Sequence, residues 1–524
     1  MTDQLPSTWA LATLEQLLAP LEDGRLLHHG WSPQCEKEPA GSDEEWGVLK
    51  TTAIQPGAFL PEHNKKLPSG LSPRPQHEVK VGDLLITCAG PRVRCGIPCL
   101  VKSTRPKLML SGKIYRFRVP DDFVDSAYIE KYLLSQKAQR AIDAMKTGGS
   151  DSGLNLTHDR FKPLPVPLAP INEQRRIASK IDELFSRIDE GDRALERVSM
   201  LVERYRQSVL KAAIAGELTR EWREKNKDRL ESGEALLARI RTARREAWEN
   251  AELAKMKAKG ITPANEKWKQ KYEEPSRPDM SGLPELPAGW VWATVGQLCF
   301  VDTGATPKRG TARYFEGGTI PWITSSAVNS LRITVAAELI TPAAIEETNA
   351  KVFPAGSFIV AMYGEGKTRG KIAELGINAA TNQACAALVC GHLDSPVRSL
   401  IRSFFEKNYE VLRTQAAGGV QPNLNLSILK QTVIALPPIR EIEEINERVA
   451  EMQSPVAAVA EEFESWSRRS AGLRQAILRS AFFGELVGQD PSDEPASVLL
   501  ERIAAERGAN AAAPKRGRKN KVPA

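Results

Sequence analysis

The feature that most constrains this chain is that it is written twice. "LPSTWALATLEQLL" from Leu5 returns as "LPAGWVWATVGQLC" from Leu286, and "VGDLLITCAG" from Val81 returns as "AGSFIVAMYG" from Ala355. "GGSDSGLNLT" from Gly148 returns as "GGVQPNLNLS" from Gly418, and "RQSVLKAAIAGEL" from Arg206 returns as "RQAILRSAFFGEL" from Arg474. The matches keep their order, and their offset drifts only from 281 at Leu5/Leu286 to 268 at Arg206/Arg474. Ordered self-similarity at a nearly fixed spacing marks a tandem duplication, so each copy must fold into the same unit.

Each copy has two parts. Residues 1–170 and 286–438 are rich in Gly, Pro, Val, Ile and Thr in short runs, which predicts a mixed, strand-rich globular domain. The parts that follow, 171–216 and 439–486, predict long helices. Ile181, Leu184, Ile188, Leu195, Val198 and Val202 fall alternately four and three apart except for a break at Gly191, and the second copy repeats the seam with Val449, Met452, Val456, Val459, Phe463 and Trp466. Such spacing is a coiled-coil seam, and two matched seams in one chain are expected to pair with each other. Pro455 is expected to kink the second helix. Residues 217–285 read as a charged, solvated helical segment ending in a proline-rich linker, and 487–524 as a C-terminal segment. "VLLERIAAER" in that last segment resembles "ALLARIRTAR" at Ala235, and the basic end "PKRGRKNK" reads as disordered.

The 524 residues carry a net charge of +7, compatible with nucleic acid without establishing it. No run approaches the length of a membrane span and no secretory signal opens the chain, so a cytoplasmic location is expected. The seven cysteines form no C-x-x-C pair, which points to reduced thiols and away from a metal site.

One motif argues for an enzyme. "AMYGEGKT", Ala361 to Thr368, fits a loose phosphate-binding loop behind an apolar strand. Copy one places "TCAGPRVR" there, without Gly-Lys-Thr, and "RGKIAELGINAATNQ" follows where a helix would have to open on the phosphates. The segment reads more easily as a turn into another strand, so a nucleotide hydrolase is a remote alternative. No N-P-P-[FY] loop of an adenine methyltransferase and no paired carboxylates with nuclease spacing stand out, so no catalytic residue and no metal ligand is assigned.

Charge marks candidate DNA contacts. Between Lys80 and Arg118 stand nine Lys/Arg against the single acid Asp83, which reads as a phosphate-facing stripe. The candidates in copy one are Lys50, Lys80, Arg92, Arg94, Lys102, Arg105, Lys107 and Lys113. Those in copy two are Lys308, Arg309, Lys367, Arg369 and Lys371, with Tyr314, Asn382 and Gln383 able to bond or stack. His28 and His29 read as solvated residues of a polar turn, and Trp9 and Trp290, at matched repeat positions, as core anchors.

Taken in order, these segments resemble the specificity subunit of type I restriction-modification systems. The resemblance rests on "TGATPKRGTARYFEGGTIPWITSSAVN" from Thr303, "TNQACAAL" from Thr381, the paired helix entries "LAPINEQRRI" and "LPPIREIEEI", and the two "GEL" helix ends, and it covers roughly residues 5–503. Copy one departs from it: it lacks the "TPKRG…YFEGG…IPW" run and has "EEWGVLKTTAI" near that place. The resemblance implies an α+β chain of two strand-rich target-recognition domains in pseudo-twofold tandem repeat, joined by two long antiparallel coiled-coil helices. Each domain would read one half of a split double-stranded DNA site. The chain itself would be non-catalytic and would bind two methyltransferase subunits and two motor-nuclease subunits, which would hold S-adenosylmethionine, ATP and Mg2+. A specificity subunit of a related type II system, whose one partner both methylates and cuts, is the close alternative, and a scaffold that uses its coiled coil only for assembly is a further one.

Overall fold

A computed structural model of the chain describes residues 5–363, 368–409, 411–412 and 424–512. It forms two compact units, residues 1–196 with 463–524, and residues 197–462. Each unit therefore contains one globular part together with half of each long helix.

The principal strands of copy one are β1 (Ala10–Thr13), β2 (His28–His29), β3 (Gly47–Leu49), β4 (Asn64–Lys66), β5 (Leu84–Thr87), β6 (Pro98–Leu100), β7 (Leu108–Met109), β8 (Ile114–Phe117) and β9 (Pro165–Leu168). Those of copy two are β10 (Val291–Thr294), β11 (Phe300–Thr303), β12 (Ile320–Ile323), β13 (Arg332–Ile333), β14 (Glu338–Ile340), β15 (Val352–Phe353), β16 (Phe358–Ala361), β17 (Ile372–Leu375), β18 (Ala379–Thr381), β19 (Cys385–Val389) and β20 (Val433–Leu436). In copy one the sheets run β2-β8-β5-β6 and β4-β3-β7, with β1 paired to β9. Copy two repeats this as β11-β19-β16-β17, extended by β13, and β14-β12-β18, extended by β15, with β10 paired to β20. The duplication therefore holds at the level of strand order.

Local chemistry explains which residues the repeat kept. Thr13 and Thr294 end their strands and cap the next short helix. Each hydroxyl accepts the N–H three residues on, from Gln16 or Gln297, whose side chain returns to the threonine N–H at 2.8 and 2.9 Å. The central strands β5 and β16 are buried at every residue, which is why "LLIT" and "FIVA" are unbroken apolar or small runs. The two long helices, Ile171–Ile214 and Ile439–Phe482, each run 44 residues. Both are followed by a glycine with positive φ, Gly216 at 71° and Gly484 at 76°. The next N–H, of Glu217 or Glu485, reaches back to the carbonyl of Ala212 or Ser480 at 2.9 Å, a closure that requires the left-handed residue glycine supplies. That is the reason "GEL" recurs. Pro455 lies inside the second helix without ending it.

The helix seam is buried toward the globular parts and open between. In the first unit Ile181 is fully buried and Ile188 is buried, with Leu478, Ala481 and Phe482 of the second helix in the same unit's core. Leu184 and Leu195 are half-buried, and Val198 is exposed. In the second unit Val449 and Met452 pack with Val209, Leu210 and Ala213 around Trp290. Val202 and Val456 are half-buried there and Val459 is exposed, while Phe463 and Trp466, which belong to the first unit, are half-buried. The break in the heptads at Gly191 has a steric reason. A Cβ there would lie 3.2 Å from the Trp466 ring, and the Trp466 indole N–H donates to Asp192 at 2.9 Å. Trp9 and Trp290 are both buried, as core anchors should be.

The segment between the copies differs from expectation. The helix Gly233–Ala258 is not simply a solvated surface, because its first turns bury Leu236, Leu237 and Ile240 in the core of copy two. The helix Ala496–Ala512 does the same for copy one with Ala496 and Ile503. The weak likeness of "ALLARIRTAR" to "VLLERIAAER" is therefore a repeated core element. The basic end of the chain lies outside the described residues, and among the described residues no helix is long and apolar enough to cross a membrane.

Candidate nucleic-acid interface

In copy two, four loops meet at one end of the sheets. The strand β11 runs into Gly304, whose missing side chain lets its backbone cross the Thr381 carbonyl: a Cβ would lie 1.8 Å from that oxygen. Thr306 then donates to the Gln383 side-chain oxygen at 2.5 Å, and the Trp322 indole donates to the Ala305 carbonyl at 3.2 Å. Asn382 N–H bonds to the Ile323 carbonyl, and the Asn382 side chain accepts the Ala384 N–H at 3.1 Å. Lys371 reaches Asn329 at 2.9 Å, at the end of the single 3-10 turn Ser325–Asn329. The loops that follow β11, β12 and β18, and the turn leading into β17, are thus stitched together by short polar residues. Hydroxyls, amides and lysines gathered on strand ends are the donor and acceptor types that read base edges and phosphates.

Copy one builds the same cluster from a different sequence. Gly30 crosses the Leu110 carbonyl, where a Cβ would lie 1.9 Å from the oxygen, and Ser32 Oγ accepts the Gly112 N–H at 3.0 Å. "HHGWSP" at His28 therefore occupies the place of "DTGATP" at Asp302, and "LKTTA" at Leu49, with its 3-10 turn Thr51–Ala53, that of "ITSSA" at Ile323. A groove of about 220 Å3 opens there, lined among others by Ser32, Lys50, Lys65, Ser111 and Lys113. Ser32, Ser111, Thr306 and Asn329 are cluster residues that counting cations misses, and Lys65 is a cation outside the stripe that the sequence singled out. The G-x-[ST]-P shared by the two copies was the signal that could have found the first of them.

The basic stripe between Lys80 and Arg118 is compensated by acids distant in sequence. Lys80 pairs with Glu22 at 2.8 Å, Arg92 with Asp143 at 2.8 Å and Asp151 at 3.0 Å, Lys102 with Asp182 at 3.3 Å, and Lys107 with Glu44 at 2.6 Å. Buried Asp83 takes Arg118 at 2.7 Å and Arg116 at 3.7 Å. Arg94 donates to the carbonyls of Thr51 and Ile54, and Arg105 to those of Ser42 and Glu45, so both hold backbone. The Lys107 bond keeps the Glu44 carboxyl below its usual range, and Arg309 is raised by its bond to Glu338. That pair is bidentate at 2.6 and 3.0 Å, and the Arg309 guanidinium also lies over Phe315 and Trp322. Exposed pairs of this kind are weak and screened by salt, so they do not by themselves keep a phosphate away.

Of the other candidates, Tyr314 packs beside Trp322, Arg369 is engaged within the chain, and Lys308 is exposed. Lys367 lies outside the described residues. The phosphate-loop alternative does not fit what surrounds it: β16 pairs antiparallel with β17, Val360 opposite Ile372, so a strand and no helix follows the turn.

Comparison with known proteins adds to this geometry. Residues 287–464 match the family model described as the type I restriction modification DNA specificity domain. The specificity subunit of the type I restriction enzyme EcoEI of Escherichia coli is 37% identical over 187 residues, which cover 36% of this chain and 30% of that one. The StySPI specificity subunit of Salmonella potsdam is 22% identical over 402 residues, 74% of this chain and 73% of that one. The EcoKI specificity subunit of Escherichia coli K12 is 21% identical over 75% of this chain and 74% of its own. Among solved structures, a chain from work on complex assembly and conformational transition of the type I R-M system superposes with a TM-score of 0.59 at 19% identity, covering 92% of this chain and all of that one.

Proposed function

We propose that the chain is a type I restriction-modification specificity subunit, the non-catalytic DNA-reading subunit of such a complex, with one half of a bipartite site read by each copy; the specificity-domain match over residues 287–464 and the similarity to type I specificity subunits support this reading. The observation that carries this reading is the repeated loop cluster around Gly30 and Gly304, set on the same strand order in both copies. Two equivalent surfaces in one chain suit two half-sites separated by an unread gap, as paired modules read half-sites on one face of the duplex. The long helices, about 66 Å each at 1.5 Å per residue, are the ruler and the dock for two methyltransferase subunits. Two motor-nuclease subunits complete the restriction complex. S-adenosylmethionine, ATP and Mg2+ belong to those partners, adenine is the methylated base, and the complex works in the cytoplasm. The related type II arrangement, with a single partner that methylates and cuts, differs only in the partners.

The test is to produce the chain with its methyltransferase partners in a methylation-free host and map modified adenines by long-read sequencing. Two short specific blocks with a fixed gap are expected. A single continuous motif would contradict the reading.

A further inference from the structure

Copy one contains a chain of polar groups that runs from the surface at Asp23 to two buried histidines. Asp23 Oδ2 lies 2.8 Å from His28 Nδ1, and His28 Nε2 lies 2.8 Å from His77 Nδ1. Both histidines are buried, at 4% and 8% exposure, so the expectation of solvated residues at His28 is corrected by this contact. The connection closes a ring. The His77 carbonyl accepts the Leu110 N–H at 2.9 Å, the Leu110 carbonyl accepts the Trp31 N–H at 3.0 Å, and Trp31 is three residues beyond His28 on the loop that crosses at Gly30.

Copy two makes the same connection with other chemistry and at the surface. Lys351 Nζ meets Asp302 at 2.8 and 2.9 Å, with both side chains about half exposed. The positions are equivalent by strand register. His28 stands opposite Arg116 on β8 and Asp302 opposite Ala387 on β19. Glu78, next to His77, bridges Met109, while Val352, next to Lys351, pairs with Ala380. His28 to Asp302 and His77 to Lys351 share one offset, 274, with Gly30 to Gly304.

We propose that His28–His77 and Asp302–Lys351 are one positioning brace built twice, which holds the loop carrying Gly30 or Gly304 against the neighbouring strand, and that only the copy-one brace yields to protonation. This rests on the reading that these loops contact DNA. The proton arrangement follows from the bonds. Asp23 accepts from His28 Nδ1–H, so His28 Nε2 is left as the acceptor and His77 donates from Nδ1. One added proton can be shared if His77 changes tautomer. With both rings charged, N–H faces N–H and the bond is lost.

The surroundings oppose charging. Asp23, Arg25 and Arg116 face His28, while His28, His29, Arg74 and Arg116 face His77. Arg116 leans on Asp83, and the Glu78 carboxylate is turned to the Lys107 N–H. Burial first, and these cations second, hold His28 below its ordinary value and His77 down to about 4 from 6.5. A histidine depressed in the closed form stabilises it fully above pH 6.5, and that stabilisation is lost as pH falls toward 4. If His77 regains its ordinary value on opening, the opened form gains about 30-fold in population between pH 7.5 and 5.0.

Hydrogen exchange on the full chain tests the brace without DNA. Corrected for intrinsic rates, exchange in residues 29–37 is expected to rise about 30-fold from pH 7.5 to 5.0, against less than threefold in residues 303–311. In a His28→Asp/His77→Lys chain, which carries the copy-two pair in copy one, the response of 29–37 should fall below threefold. A wild-type chain in which both segments respond alike, or in which 29–37 does not respond, would overturn the proposal. A second arm selects bound sequences from a random duplex library with the chain assembled on its methyltransferase partners at pH 7.5. His77→Phe should relax one half-site and spare the other, and the Asp/Lys chain should restore it. Unchanged half-sites in His77→Phe would overturn the positioning role and leave DNA reading intact. Failure of the wild-type chain to select any sequence would count against DNA reading itself, and the exchange response would then decide the brace alone.

Discussion

At the entry to the long helices the two copies carry the same acid in opposite circumstances. Glu441 is fully buried and satisfied, accepting from Thr219 at 2.7 Å, Arg223 at 2.9 Å and the Trp290 indole at 2.9 Å. Glu173, at the equivalent place, is 1% exposed and lies beside Trp9, and burial pushes its carboxyl up, opposed by the Trp9 indole and by Arg176. Arg176 itself is committed to Asp493 at 2.7 Å. A buried carboxylate with an arginine and two neutral donors is stable as a charge; one without such a set is costly as a charge and cheap as an acid. The same divergence appears in the braces, His28–His77 against Asp302–Lys351. What duplication has kept is steric: capping threonines, crossing glycines, the buried strand. The polar groups have drifted, because several donor and acceptor sets can make one connection.

The comparison can be broken most sharply at the crossing glycines. Gly30→Ala and Gly304→Ala each place a methyl group within 2 Å of a carbonyl oxygen, so the backbone must move in either copy. Each should cost its own unit more than about 4 kcal/mol, or displace the loop outright. Two calorimetric transitions on the full chain would show it, and a substitution tolerated in one copy would end the equivalence of the loops.

Next in size is the acid pair. Glu441→Gln should cost the second unit about 3–5 kcal/mol, since it leaves Arg223 buried with a weaker partner. Glu173→Gln should leave the first unit unchanged or slightly stabilised at pH 7, because it removes the cost that burial places on the carboxylate form. The sign for Glu173 follows from its raised pKa: the unfolded chain releases this proton at lower pH than the folded one, so wild-type stability from this group declines as pH rises above 4.5 toward its folded value. Urea denaturation of both variants at pH 5 and 7.5 checks it, and equal losses would erase the contrast.

The smallest effects concern phosphate contact. Lys50→Ala, Lys113→Ala and Lys308→Ala should each lower the salt slope of DNA binding by about one unit if they meet phosphates. Arg94→Ala should instead loosen the 51–55 turn it holds by two carbonyls, and show as lost stability of copy one.

The sequence alone revealed what sterics had preserved. The duplication, the fold class, the long helices and the strand before Gly364 were readable because capping, crossing and burial each tolerate few residue types. The shared G-x-[ST]-P was present but hidden, since Trp31 and Ala305 differ between flanks of unlike length. Charge was the least legible layer. Lys80, Arg92, Lys102 and Lys107 looked like an open stripe because their acids, Glu22, Asp143, Asp182 and Glu44, are brought in by the fold from outside the block. His28 looked solvated because its partner His77 lies 49 residues away.

The central claim is that the two copies are equivalent modules that read independently. The direct measurement is to replace residues 286–438 with the corresponding part of a related subunit, produce the chimaera with the methyltransferase partners, and map methylated adenines across a genome. One half of the bipartite motif should change while the other half and the gap stay as they were. A motif that changes in both halves, or in neither, would contradict independent reading by equivalent modules.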